Sequence, residues 1–143
     1  MLLWKNSVET PSSGIMVGTK KTILIIEDSA DARDTLALML SLEQYVVRVV
    51  SSRDEAVEVL SHGEPDVVLL DWFMPGMSIE DFVSKARKMY PSIQIVLVSA
   101  SLNTEKKAQE WKLNFILKPY DPAELLKVID LSIQKRRRLD FPY

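Results

Sequence analysis

The sequence predicts a doubly wound α/β sandwich: a five-stranded parallel sheet with helices on both faces. Five short apolar runs alternate with five stretches of helical periodicity, a β-α unit repeated five times. The runs are too short and too uniformly apolar for a one-sided antiparallel sheet, so they should be parallel and covered on both faces. The chain has 143 residues, 47% of them hydrophobic, which suits one domain, since a chain of ~150 residues buries roughly two-thirds of its unfolded surface. Crossovers should be right-handed, and sheets wound this way take ligands at the carboxyl ends of their strands.

Each element has its own warrant. The first strand runs from Thr22 to Ile26, is rich in β-branched residues, and ends in Glu27 and Asp28. The helix after it places Ala32, Leu36, Met39 and Leu40 at helical spacing. Residues 46–50, VVRVV, form a short second strand. Ser52, with Glu55 three residues on, makes a capping box for a helix carrying Ala56, Val57 and Leu60 that stops at HGEP. The third strand, DVVLLD, delivers Asp71 into a turn through Met74-Pro75-Gly76. Ser78 caps a helix to about Tyr90, closed by Pro91. IQIVLVSAS is the fourth strand, residues 104–112 a weak helix, and NFILKP a short fifth strand. Asp121-Pro122-Ala123-Glu124 supplies an N-cap, a proline at the first helical position and an acid at the third. It opens a last helix reaching KRRR at 135–138.

The totals exclude several classes. A net charge of −2 gives no field that points to nucleic acid or an anionic membrane. The absence of cysteine removes disulfides, thiolate metal sites and cysteine nucleophiles. No apolar run reaches the ~18 residues that cross a bilayer. Residues 1–20 mix Ser, Thr, Pro and Gly without a period and read as a flexible extension, unlike a signal peptide. The expectation is a cytoplasmic protein with its domain at 21–138 and a short tail at 139–143.

Taken together, the strand ends bring Glu27-Asp28, Asp71, Ser99-Ala100-Ser101 and Lys118-Pro119 to one edge of one sheet. Clustered carboxylates raise one another's pKa unless a cation sits among them. All-oxygen ligation suits Mg²⁺ or Mn²⁺ rather than zinc. A lysine supplies a point charge for a phosphoryl oxygen and a serine hydroxyl a hydrogen bond to another. With a carboxylate as nucleophile, the natural reaction is formation of an acyl phosphate, promoted by positioning and charge neutralisation.

These residues carry a resemblance. ED after strand one, LLDWFMPGM at strand three, VSAS at strand four and LKP at strand five make residues 21–137 similar to the response-regulator receiver domain of two-component signalling. The resemblance implies a flavodoxin-like sheet of strand order 2-1-3-4-5. It implies that Asp71 is the phospho-acceptor and that Glu27, Asp28, Asp71 and the Phe73 backbone carbonyl hold Mg²⁺. Ser99 would contact the phosphoryl group, Lys118 would pair with it, and Phe115 would be the aromatic that moves with Ser99. The Lys118-Pro119 bond would be cis. The phosphoryl donor would be a histidine kinase or histidine phosphotransfer protein, and the output contact with a downstream protein target.

Other residues have blander readings. His62 sits in a surface loop, Asp28 alone could cap the first helix, and KRRR reads as a solvated helix end that favours the helix dipole. Trp72 and Phe73 read as packing residues beside the site, and Trp4 falls in the extension. The cluster Leu125, Leu126, Val128 and Ile129 would cover more than one helix face, which leaves room for a homodimer contact.

Three departures from the family pattern stand out. Ser78-Ile79 replaces the usual Asp-Gly after the turn. Phe73, two residues past the acceptor, should hinder water and slow loss of the phosphoryl group. The stretch from Ser99 to Lys118 is short, with Trp111 near the expected glycine, so the fourth helix should be short or irregular and the output unconventional. With five residues after Arg138, a stand-alone receiver acting through protein contacts is expected, without direct nucleic-acid or membrane binding. Two rivals are a receiver-like module that binds a partner without phosphate, and a Mg²⁺-dependent phosphohydrolase. The second usually has an acid where this chain has Phe73.

Overall fold

The structure is a computed structural model and describes residues 20–140. The 1–20 extension with Trp4, and residues 141–143 of the tail, lie outside the described residues apart from Lys20. The elements are β1 (Thr22–Ile26), α1 (Ala30–Leu42), β2 (Val46–Val50), α2 (Arg53–Leu60) and β3 (Val67–Asp71). They continue with α3 (Ile79–Met89), β4 (Ile95–Ser99), α4 (Asn103–Glu110), β5 (Asn114–Leu117) and α5 (Pro122–Asp140). The five strands form one parallel sheet in the order β2-β1-β3-β4-β5, which is the doubly wound 2-1-3-4-5 topology expected.

Strand side chains alternate between faces, and the two faces bury different helices. Ile23, Ile25, Leu69, Val96 and Val98 pack with Leu40 of α1 and with Leu125, Ile129 and Ile133 of α5. Leu24, Ile26, Leu70, Ile95 and Leu97 pack with Leu60 of α2, Phe82 and Ala86 of α3, and Ala108 of α4. Double coverage explains why β1, β3 and β4 are almost continuously apolar and buried.

Register sets the site. Ile26 pairs with Leu70, Asp71 with Val98, and Ser99 with Leu117. Glu27, Asp71, Ser99 and Lys118 therefore leave the sheet at nearly one level.

Helix starts follow the caps. The side chains of Ser29, Ser52 and Ser78 accept from backbone amides three residues on, and Asp121 and Glu124 exchange bonds as a full capping box. Ser29, not Asp28, caps α1. The box at Ser52 is only half made, because the Glu55 carboxylate accepts from the Ser51 hydroxyl instead.

Helix α4 has eight residues and no side-chain cap at its start, and Lys112 just beyond it takes φ +56°. It is short, as expected, but regularly helical. Lys118-Pro119 is cis.

Two expectations need correction. KRRR is not wholly solvated: Arg136 reaches back to Asp66 at 2.8 Å, Glu64 at 3.1 Å and Asp140 at 3.6 Å, because a loop of acids lies beneath that turn of α5. The apolar cluster of α5 is spent inside the domain, with Leu125 and Ile129 buried and Leu126 and Val128 packed on the same core. That removes the reason for a homodimer contact there.

Candidate functional site

Glu27, Asp28 and Asp71 each present a carboxylate oxygen within 4.8 Å of the others. The β1–α1 turn that carries the first two is pinned by Arg33, which donates to the carbonyls of Glu27 at 2.9 Å and Asp28 at 3.0 Å. Lys118 Nζ lies 3.2 Å from Asp71 Oδ1 and 3.9 Å from Glu27 Oε1. Sequence separations of 44 and 47 residues close here because parallel strands end together.

Burial pushes the Glu27 carboxyl above its usual range, and the Asp71 charge and a hydrogen bond with Asp28 push it further. The Ser29 amide and Lys118 pull it partway back. Three converging carboxylates with one lysine leave a negative excess that a hard divalent cation would relieve. The donor set, all oxygen, fits Mg²⁺ and does not suit zinc. Beside the cluster opens a cleft of about 570 Å³, with Asp31, Thr35 and Tyr120 on its walls and Ile25, Leu69 and Val98 at its apolar floor.

The remaining expected residues sit close by in the fold. Ser99 is buried at the end of β4, its Oγ accepting from the Ser101 amide at 3.1 Å. Phe115 is partly buried against the core under α2, α3 and α4. Phe73 is corrected: it is 67% exposed and is not a packing residue, because the turn after β3 carries it outward. Trp72 does pack, and its ring stacks on Trp111 with centroids 6.4 Å apart and an interplanar angle of 19°.

One residue of the site was missed. Arg53, the first residue of α2, is 3% exposed and donates to four backbone carbonyls, that of Asp71 at the end of β3 and three of the loop after it. A signal did exist in the sequence: a cation at a helix's first position faces the positive end of the dipole, so it needs a reason to be there.

Fold and site define a doubly wound α/β domain of CheY-like architecture, with an acid-lysine cluster at the carboxyl edge of its sheet. The model of the response regulator receiver domain matches residues 23–130, and the chain belongs to that family. It is 31% identical over 116 residues to the phosphate regulon transcriptional regulatory protein PhoB of Pseudomonas aeruginosa, covering 78% of this chain and 50% of that one. It is 32% identical over 117 residues to the sensory transduction protein RegX3 of Mycobacterium bovis, covering 80% and 51%. The chain thus spans about half the length of these curated relatives. Among solved structures, a CheY-like receiver domain protein of Methanospirillum hungatei superposes with TM-score 0.76 at 24% identity, covering 84% of this chain and 98% of that one. Response regulator protein TrrA of Thermotoga maritima, solved in complex with Mg(2+)-BeF, gives TM-score 0.71 at 26% identity, covering 78% and 98%.

Proposed function

We propose that residues 21–138 form a phosphorylation-operated switch in which Asp71 accepts a phosphoryl group from a histidine kinase or histidine phosphotransfer protein. An Asp71 carboxylate oxygen attacks phosphorus as the P–N bond to the donor imidazole breaks, giving an acyl phosphate. The observation that carries this reading is Lys118 at 3.2 Å from Asp71, within a cluster of three carboxylates.

Lys118 holds Asp71 in place and offers its charge to a phosphoryl oxygen. Ser99 turns its hydroxyl from the Ser101 amide to another phosphoryl oxygen, and Phe115 repacks with it. Glu27, Asp28, Asp71 and the Phe73 carbonyl would hold Mg²⁺, which would supply charge neutralisation at the phosphoryl oxygens. That the similar TrrA was solved in complex with Mg(2+)-BeF supports a divalent cation as the ion for such a site. Beyond its own phosphoryl transfer and slow self-dephosphorylation the domain catalyses nothing, and it acts through contacts with a downstream protein target. The proposed setting is the cytoplasm: no described helix is long and apolar enough to cross a membrane.

The test is intact mass after incubation with Mg²⁺ and a small-molecule phosphodonor, with Asp71→Asn as control. A gain of one phosphoryl that needs Mg²⁺ and vanishes in the variant is expected. No gain would favour a module that binds its partner without phosphate, and rapid release of inorganic phosphate would favour a phosphohydrolase.

A further inference from the structure

Arg53 is expensive where it stands. Its guanidinium is removed from water, and its Nε finds no partner among the described residues. Burial pulls its pKa down, with the Asp71 charge opposing. It also begins α2, where the helix dipole disfavours a cation. Among the described residues no carboxylate pairs with it. What it holds is backbone: Nη2 donates to the carbonyls of Asp71 at 3.3 Å and Trp72 at 2.8 Å. Nη1 donates to those of Met74 at 3.4 Å and Met77 at 2.7 Å.

Those carbonyls belong to the loop that carries the acceptor. Of the run Asp71 to Met74, only the Phe73 carbonyl receives no bond from any described donor. A second contact from α2 touches the same loop: a Cβ on Gly76 would lie 2.9 Å from Asp54 Oδ2. We propose that Arg53 is a positioning residue, which ties down the carbonyls on either side of Phe73 so that the Phe73 carbonyl and the Asp71 carboxylate are presented together to a divalent cation. This rests on reading Glu27, Asp28 and Asp71 as a Mg²⁺ site. Groups that orient metal ligands in this way typically alter affinity by about 10–100-fold when removed.

The sign of the effect separates clamping from charge. A buried cation repels a second cation, so if Arg53 mattered only as a charge, removing it would tighten Mg²⁺ binding. A clamp predicts the reverse. The experiment uses the full chain, its Arg53→Met and Arg53→Lys variants, and Arg136→Met as a control that removes an arginine from the opposite end of the sheet. Mg²⁺ alone is titrated against tryptophan emission, and amide exchange across residues 72–77 is followed by mass spectrometry without metal.

Weakening of Mg²⁺ binding by about tenfold in both Arg53 variants, with faster exchange in the loop and neither change in Arg136→Met, is the expected result. Lysine keeps the charge but concentrates its donors at one point, so it cannot span carbonyls from Asp71 to Met77. Wild-type affinity in Arg53→Lys, equal or tighter binding in Arg53→Met, or unchanged loop exchange would overturn the proposal. Should Arg53→Met fail to fold, Arg53→Lys decides alone. If the wild type shows no response to Mg²⁺, the cation-site reading falls, while the metal-free exchange still decides whether Arg53 clamps the loop.

Discussion

Replacing Trp72 and Trp111 singly and together by alanine tests whether the residue beside Asp71 is energetically coupled to the α4–β5 corner. The rings stack at 6.4 Å and 19°, an arrangement worth about 0.5–1.5 kcal/mol beyond the area it buries. Both rings are only partly buried, so each single variant should cost less than the ~3–5 kcal/mol of a fully buried tryptophan, roughly 1–3 kcal/mol. Lys107 lies 5.9 Å from the Trp111 ring centroid. That cation–π contact is lost in both variants lacking Trp111, so it cancels from the cycle. The remaining coupling should be about 1 kcal/mol. Urea unfolding read by far-UV circular dichroism measures it without depending on the removed chromophores. Additivity within about 0.5 kcal/mol would refute the coupling and leave the two rings as neighbours that merely cover the same core.

Gly76 has φ +98°, a region that costs a side-chain-bearing residue about 1–2 kcal/mol. Gly76→Ala should destabilise by that amount, and adding Asp54→Ala should not restore it, since the backbone and not the flexible carboxylate sets the cost; rescue in urea melts would show otherwise. Glu27 is raised in the fold, so the fold favours its neutral form. Its stabilising contribution is full below the ordinary carboxylate range and is lost as pH rises through the raised value. Without divalent cation, Glu27→Gln should therefore melt higher than wild type near neutral pH, and the gap should close towards about pH 4; a gap that widens in acid contradicts the assignment. Phe73→Asn should shorten the life of the phosphorylated form several-fold, measured by loss of the added mass, and an unchanged half-life would mean that the exposed ring does not shield the phosphoryl group.

Legibility varied with the range of the interaction. Strands β1 and β2 ran as read because short β-branched runs between turn residues are local signals. Ser29 displaced Asp28 as the cap of α1 because two adjacent cap-forming residues can be ranked only by the turn geometry between them. The acids and Lys118 were legible because parallel strands must end at one edge, which turns sequence order into proximity. Arg53 was legible only as a cation oddly placed at a helix start, because nothing in that helix tells that its guanidinium turns beneath a loop 18 to 24 residues away. Arg136 was misread for the same reason: its partners Asp66 and Glu64 lie across the chain, and a basic helix end is otherwise a solvated one. Trp111 was noted as out of pattern, yet its stacking partner could be known only from where β3 and α4 meet.

The loop after β3 is held on two sides, and the two holds differ in strength. On the α2 side Arg53 makes four charge-assisted hydrogen bonds, two of them at 2.7 and 2.8 Å, and bonds to charged groups contribute about 1.5–3 kcal/mol each. On the α4 side the aromatic contact among the described residues is one partly exposed stack, Trp72 on Trp111, of about 0.5–1.5 kcal/mol. A disturbance at Asp71 should then leave the α2 contact intact and yield at Trp72–Trp111, the weaker of the two. The eight-residue α4 has no side-chain cap and ends at Trp111, so the corner that should yield is also the least braced. The tryptophan pair, rather than the α2 clamp, is therefore where a change of state at Asp71 should first be read, and the tryptophan cycle repeated on the phosphorylated protein should give a smaller coupling than on the free one.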